Sequence, residues 1–309
     1  MANSPLGHTL LIANPASHSG KGAAEADFAQ RFLSSYSSMI DSLETRLTTG
    51  VGDATRIAAE AHGYDTVLVL GGDGVIHETV CGLMDKPRDQ RPTLGVIPLG
   101  SGNDYARTLG MARNDVEGAI AQIVRGKARS VEVGLVNGVP FVETLSFGLD
   151  AAIAIDTTDR RAADTSQEGE ALFITSGLKI LSQAKGGFPC TAYLDDDAPI
   201  ELSPHIFAFQ VGPSYGGGFL ICPKADPTDG QLDVCYNVRK PALPRLMALF
   251  GLARLGRHVG SSVVRTRRVH HAILEFEAEP PCQVDGEQLV GRRFEIQVVP
   301  DALSVIFPR

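Results

Sequence analysis

Thr66 to Leu83, TVLVLGGDGVIHETVCGL, limits the fold more than any other stretch of this chain. Val67 to Leu70 is a short apolar run ending on Gly71 and Gly72, the way a buried parallel strand leaves a sheet. Beyond it Ile76, Val80 and Leu83 recur at helical spacing, so a helix begins just after the turn. Asp73 stands on the turn itself. Gly71, Gly72 and Gly74 lack a Cβ and tolerate positive φ, so a polyanion can approach the backbone N–H groups closely. Strand, glycine turn and helix start make a phosphate-binding geometry, although Gly-Gly-Asp-Gly alone also describes an ordinary strand-to-helix turn.

The same pattern repeats through the first half. His8 to Ala13 reads as a strand ending at Asn14-Pro15, and a small flexible loop, Ala16 to Gly22, leads into a helix through Phe28, Phe32 and Leu33. This loop is not a Walker loop: Pro15 stands where its first glycine belongs, and Gly22 where it needs Ser or Thr after Lys21. Lys21 is either a solvated lysine or a cation near nucleotide phosphates. Ser42 to Thr49 and Thr93 to Ile97 read as strands, Asp53 to Ala61 and Asp115 to Gly126 as helices. Gly100-Ser101-Gly102-Asn103-Asp104 is a second glycine turn opening a helix through Tyr105 and Leu109. Strands alternating with helices predict a parallel sheet with ligand loops at its carboxyl edge.

After residue 128 the pattern changes to short β-rich runs, among them Arg129 to Leu135, Phe141 to Phe147, His205 to Val211, Gln231 to Val238 and Phe294 to Val299. These predict a mostly antiparallel β domain over 129–301, following an α/β domain over 1–128 to which 302–309 can return. Asp156 to Glu170 reads as a polar excursion, and Ala171 to Gln183 as a helix.

Together the motifs resemble the diacylglycerol kinase catalytic-domain family, which includes bacterial lipid kinases and sphingosine and ceramide kinases. The first-half motifs are Asn14-Pro15 with Ser19-Gly20-Lys21-Gly22, Thr48 ahead of Gly52-Asp53-Ala54, and the two glycine turns. The second half adds, in the family's order, Val131 to Gly134, Ser146 to Ala151, Gly216-Gly217-Gly218, Pro223-Lys224-Ala225, Asp229 to Asp233 and Asp285-Gly286-Glu287. The resemblance implies a phosphofructokinase- and NAD-kinase-like α/β domain, a β-sandwich domain, and an active site at their seam. It further implies an ATP- and Mg²⁺-dependent kinase of a lipid hydroxyl, on diacylglycerol or a sphingoid base.

By that resemblance Asp285 is the general base, in a loop shared with Glu287, and Asp73 and Asp104 organise Mg²⁺ and phosphate. Asn14, Lys21, Thr48, Gly71, Gly72, Gly74, Ser101, Gly102 and Asn103 line the nucleotide pocket. Glu78 supports it, or is an acid favoured by the dipole of its own helix. Glu132 stands where many relatives carry Asp in a metal network, and Asp226, Asp229 and Gln231 could form a second cation site. Asp285→Asn is expected to abolish transfer while leaving the fold and nucleotide binding largely intact.

Composition restricts partners and compartment. Five cysteines without a Cys-x-x-Cys pair suggest neither a zinc site nor a disulfide framework, and a net charge of −8 argues against general nucleic-acid binding. No basic start or long apolar stretch opens the chain, so a cytoplasmic protein is expected. Between Asp233 and Glu275 there is no acid but eight Lys and Arg, and Leu243, Leu246, Met247 and Phe250 share a helical face beside Arg245, Arg254 and Arg257. That suits peripheral contact with lipid headgroups, or a core-packed helix with solvated arginines. Self-association into a homodimer stays open. His77-Glu78 lacks the second histidine of a zinc protease helix. Gly212 to Gly216 matches a hydrolase elbow as text, but the glycines after Ser214 forbid the helix that elbow needs. Two rival functions remain: a kinase of a soluble acceptor such as NAD, and a nucleotide- or lipid-binding protein without turnover.

Overall fold

The computed structural model describes residues 4–36, 38–163, 169–184 and 186–309. The chain forms two compact units, Met1–Val131 with Asp301–Arg309, and Glu132–Pro300.

In the first unit, β1 (His8–Ala13), β2 (Ser42–Leu47), β3 (Thr66–Gly71) and β4 (Thr93–Pro98) form a parallel sheet in the order β2-β1-β3-β4. The strand apolar on both faces, β3, is buried along its whole length and takes the centre. Helices α1 (Ser17–Gly20), α2 (Gly22–Ser34), α3 (Asp53–Ala59), α4 (Asp73–Met84), α5 (Asp104–Leu109) and α6 (Val116–Arg125) follow the strands in alternation. The last turns of the chain return here: Val305 pairs parallel with Leu94 of β4, and the Arg129 guanidinium lies 5.1 Å over the Phe307 ring.

The second unit is built on two mainly antiparallel sheets and a helical layer. One sheet runs β12 (Val264–Val269), β11 (Leu232–Asn237), β10 (Ile206–Gln210), β7 (Thr144–Gly148), β14 (Cys282–Val284), β15 (Glu287–Gln288). In the other, residues 293–297 of β16 (Arg293–Phe307) pair with β13 (His271–Phe276), which pairs with β8 (Cys190–Leu194) and then β9 (Ile200–Leu202). β5 (Lys127–Val136) and β6 (Val139–Phe141) form a hairpin. Phe147, Phe207, Phe209, Phe276 and Phe294 fill the core between the sheets, with Phe147 edge-on to Phe294 at 4.8 Å.

Strand alternation sends the intervening residues the other way. Ala208 and Cys235 pack with Leu149, Ile153, Phe173 and Leu246 beneath α7 (Leu149–Ala162), α8 (Gly169–Ser182) and α9 (Leu243–Ala253).

Three differences from the sequence reading have physical causes. Phe141 to Phe147 is two strands, because the N–H groups of residues 142–144 turn to the Asp285 carboxylate. Residues 156–162 of the expected excursion continue α7, whose buried Leu149, Ala151 and Ile153 carry the helix into the polar part; Lys179 and Ser176 of α8 hold Asp156 and Arg160 there. Residues 164–168 of that stretch lie outside the described residues. The arginine-rich Val264–Val269 is a strand because Val264 and Val269 are buried. On α9 the face for which lipid contact and core packing were both open is divided: Leu246 is buried and Met247 and Phe250 pack on the core, while Leu243 is exposed.

Candidate active site

Backbone proximity shapes the phosphate-type turns. Gly72 begins α4 in an extended conformation (φ −87°, ψ −176°), and none of Gly71, Gly72 or Gly74 has positive φ. Space, not torsion, is what constrains Gly71, and in the second turn Gly100. At Gly71 a Cβ would strike Val75, and Gly72 lies against Gly100, where a Cβ would stand 2.6 Å from the Gly72 Cα. Leu99 N–H donates to Gly71 O at 2.8 Å, locking the two turns edge to edge.

The second turn closes over Asp73. A Cβ on Gly102 would lie 2.7 Å from Asp73 Oδ2 and 3.4 Å from Asp104 Oδ2, so the loop passes close over the Asp73 carboxylate. Asp73 opens α4 half-buried, and Asp104 opens α5 buried, each with a carboxylate oxygen within 4.8 Å of the other's. Arg107 Nε lies 3.5 Å from Asp104 Oδ1. Asn103, left-handed at φ 53°, donates to Gly100 O at 2.8 Å and to Asn114 Oδ1 at 3.2 Å; Asn114 also accepts the Gly100 N–H. Ser101, Gly102, Asn103, Arg107 and Asn114 line a polar hollow of about 430 Å³. Arg107 and Asn114 escape motif reading because their positions carry no signature of their own.

Other predicted nucleotide residues have local duties. Asn14 Oδ1 accepts the Ala16 N–H at 2.9 Å, and buried Thr48 donates its N–H to Ala13 O. Lys21 is exposed. The Glu78 carboxylate accepts the N–H groups of Gly52 (2.9 Å) and Ala54 (3.2 Å), so it caps α3 and serves that neighbouring helix's dipole. His77 is buried, with Nε2 3.5 Å from Cys81 Sγ. No helix follows Ser214, which removes the hydrolase elbow.

In the second unit Asp285 is buried and left-handed (φ 46°). Its Oδ2 accepts the Val142 N–H at 2.8 Å, and Oδ1 accepts those of Glu143 (3.0 Å) and Thr144 (2.8 Å). The side chain therefore holds the start of β7, so Asp285→Asn carries a stability cost as well as the expected loss of transfer. Glu287 is exposed on β15. Glu132 is buried, accepts the Gly230 N–H on Oε2, and has no hydrogen-bond partner for Oε1 among the described residues. Burial, with Asp229, Asp226 and Asp233 adding to it, pushes the Glu132 carboxyl up to about 8 against the pull of the Gly230 N–H. Asp226 accepts from Thr228, Asp229 accepts the Gln231 N–H, and Arg268 lies 3.3 Å from Asp229 and 3.8 Å from Asp233.

Comparison with known families assigns both units. The diacylglycerol kinase catalytic domain matches residues 8–136, and the YegS C-terminal NAD kinase beta sandwich-like domain matches residues 143–307. The chain belongs to the diacylglycerol kinase catalytic-domain family. It is 29% identical to a "Diacylglycerol kinase" of Bacillus subtilis (strain 168) over 79% of this chain and 78% of that one. Identity is also 29% to a "Probable lipid kinase YegS-like" of Yersinia pestis (strain Pestoides F), over 97% of both chains. A crystal structure of a diacylglycerol kinase from Bacillus anthracis superposes with a TM-score of 0.74 at 21% identity, covering 97% of this chain and 96% of that one. Yeast NADH kinase superposes at 0.55 and 12% identity, covering 99% and 84%, and shares the fold. Membership in this family makes the chain a phosphotransferase of the kinase type.

Within this diacylglycerol kinase family member, the second unit holds a cavity that motif reading missed. It measures about 60 Å³, room for on the order of four water-sized groups. Ile153, Phe173, Phe219, Leu246 and Phe250 give it apolar walls, and Asp150, Cys235 and His258 put polar atoms into them. Tyr215 donates its hydroxyl to Asp150, and burial pushes the Asp150 carboxyl up to about 7. The signal lay in β11, whose Asp233, Cys235 and Asn237 alternate with Leu232, Val234 and Tyr236. Among the described residues no helix is long and apolar enough to cross a membrane.

Proposed function

We propose that this chain is an ATP-dependent lipid kinase that transfers the γ-phosphoryl group to a hydroxyl of a lipid such as diacylglycerol or a sphingoid base. The observation that carries the lipid over a soluble acceptor is the apolar cavity beneath α7, α8 and α9, since a nucleotide acceptor calls for polar walls. Its volume suits the end of an aliphatic chain, and α8 and α9 would have to part to admit more.

Asp73 and Asp104 would hold Mg²⁺: their paired oxygens, cradled by Gly102, match a hard cation's preference for oxygen. Bound there, Mg²⁺ would neutralise charge on the transferring phosphate. In this reading Asn14, Thr48, Gly71, Gly72, Gly74, Ser101, Gly102 and Asn103 line the nucleotide pocket, and Lys21 supplies a cation. By capping α3, Glu78 positions the loop after Thr48. Asp285 takes the proton of the acceptor hydroxyl on its carboxylate, assisted by Glu287. Glu132, Asp226, Asp229 and Gln231 form a second cation site, for which the buried, unmatched Glu132 Oε1 is the fitting ligand. Membrane contact falls to the exposed Leu243, Leu252 and Leu255 with Arg245 and Arg257, instead of the packed face of α9.

The test is incubation with labelled ATP and diacylglycerol, monoacylglycerol, sphingosine, ceramide, phosphatidylglycerol or NAD, with products resolved by mass. A phosphorylated lipid is expected. Phosphorylation of NAD alone, or ATP binding with no product, overturns the reading.

A further inference from the structure

The cavity of the second unit contains a group of side chains that phosphoryl transfer does not use. Val234 and Tyr236 of β11 face the core between the sheets, while Cys235 points into the helical layer and lines the cavity with Asp150 and His258. Its Sγ lies 3.7 Å from His258 Nε2, and the thiol of Cys222, on the chain between β10 and β11, is hydrogen-bonded to it. His258 Nε2 is also 3.1 Å from the carbonyl oxygen of Ile221. A carbonyl only accepts, so Nε2 carries the hydrogen, and the Cys235 sulfur meets an N–H.

Donors on one sulfur favour its thiolate. The Cys222 bond first, and His258 after it, hold Cys235 down to about 6 against burial, while burial drives Cys222 well above the usual thiol range. Cys190 and Cys282 show the contrast: burial pushes both up, Cys190 to about 12. The pair therefore joins a nucleophilic sulfur to a neighbouring thiol. Cys222 and Cys235 are 2% and 4% exposed, and of the two it is Cys235 that lines the cavity, so the cavity is the route to the attacking sulfur.

We propose that Cys235 and Cys222 form a peroxide-reactive pair in which Cys235 attacks, Cys222 resolves, and the oxidant is an apolar organic hydroperoxide such as a lipid hydroperoxide. The Cys235 sulfur attacks the terminal peroxide oxygen; the S–O bond forms as the O–O bond breaks, and the alcohol leaves with the proton the thiol gave up. The Cys222 sulfur then attacks the sulfenic acid; the S–S bond forms, the S–O bond breaks, and the oxygen leaves as water with the Cys222 proton. Two thiols lose two electrons, and the peroxide bond takes them. Apolar walls select an alkyl hydroperoxide over hydrogen peroxide, which is better solvated outside. Only the consequence for transfer, that a cross-linked cavity refuses an aliphatic chain, rests on the lipid-kinase reading.

The test exposes the full-length protein to tert-butyl hydroperoxide or hydrogen peroxide at equal concentration, followed by peptide mapping without reduction. A Cys222–Cys235 disulfide, reversed by dithiothreitol, is expected several-fold faster with tert-butyl hydroperoxide, while the more exposed Cys81 reacts with either oxidant. Cys222→Ser should stop at a Cys235 sulfenic acid trapped by dimedone, and Cys235→Ser should leave Cys222 reduced. Absence of the cross-link under conditions that oxidise Cys81 overturns the proposal, as does a faster reaction with hydrogen peroxide or oxidation of Cys222 in Cys235→Ser. The readout is sulfur chemistry, so it is decided whether or not the protein phosphorylates any lipid.

Discussion

Gly100 and Gly72 meet backbone to backbone: a Cβ on Gly100 would fall 2.6 Å from the Gly72 Cα. The two turns hold their places by that contact and by the Leu99 to Gly71 hydrogen bond. Gly100→Ala should therefore cost about 1–3 kcal/mol, read as a lowered Tm, because one loop must back away from the other. Gly74→Ala has open space and ordinary torsions and should keep or raise Tm, while lowering turnover if residue 74 lines the nucleotide pocket. A stable, fully active Gly74→Ala would remove that residue from the pocket.

Asp285→Asn turns an amide toward N–H groups that now find carboxylate oxygens. A loss of about 1–3 kcal/mol is expected, followed by chemical denaturation, together with loss of phosphoryl transfer. Glu287→Gln, on an exposed strand end, should leave the denaturation midpoint where it was. A variant Asp285→Asn as stable as wild type would contradict the clip described here.

Asp73→Asn separates charge from shape. Two carboxylates within 4.8 Å repel each other without a cation, so the variant should be as stable as wild type or more so in EDTA. Turnover should fall roughly 100-fold or more, and added Mg²⁺ should stabilise the variant less than wild type. Equal Mg²⁺ stabilisation of both proteins would place the cation elsewhere.

Glu132 gives a metal-dependent pH effect. Its folded value near 8 lies above the unfolded one, so the native state keeps a proton that the unfolded state loses from about pH 4 upward. Stability is fully present below that point and is lost as pH rises toward 8. Glu132→Gln should flatten the loss, and Mg²⁺ or Ca²⁺ should reduce it in wild type only. Identical melting curves with and without divalent ions would leave the second cation site without support.

Asp150 follows the same sign in a different place. Burial holds it protonated to about pH 7, so wild type should lose up to about 4 kcal/mol relative to Asp150→Asn between pH 4 and 7. Parallel Tm profiles for the two proteins over that range would show that the carboxyl is not buried as described.

The elements that close on glycine were the readable ones. Gly71 and Gly100 mark where β3 and β4 leave the sheet, and the helices after them follow from apolar spacing. The positive φ that the glycines would tolerate is not used at Gly71, Gly72 or Gly74, and the contacts that crowd Gly71 and Gly100 could not be read, because a sequence shows that a Cβ is missing and not which neighbour would have met it. Val264–Val269 hid behind its arginines, since two buried valines at its ends decide the matter and charge dominates the text between them. Asp150, Cys235 and His258 come from three separate segments, and only tertiary packing gathers them on one cavity.

Arginines 265, 267 and 268 lie on β12, the outermost strand of its sheet. Any second chain that tried to extend this sheet would have to bring its own backbone alongside that row of long charged side chains, of which Arg267 is held by Asp197 and Arg268 by Asp229 and Asp233. Charged side chains on an outermost strand disfavour fibre-like growth of the six-stranded sheet at this margin.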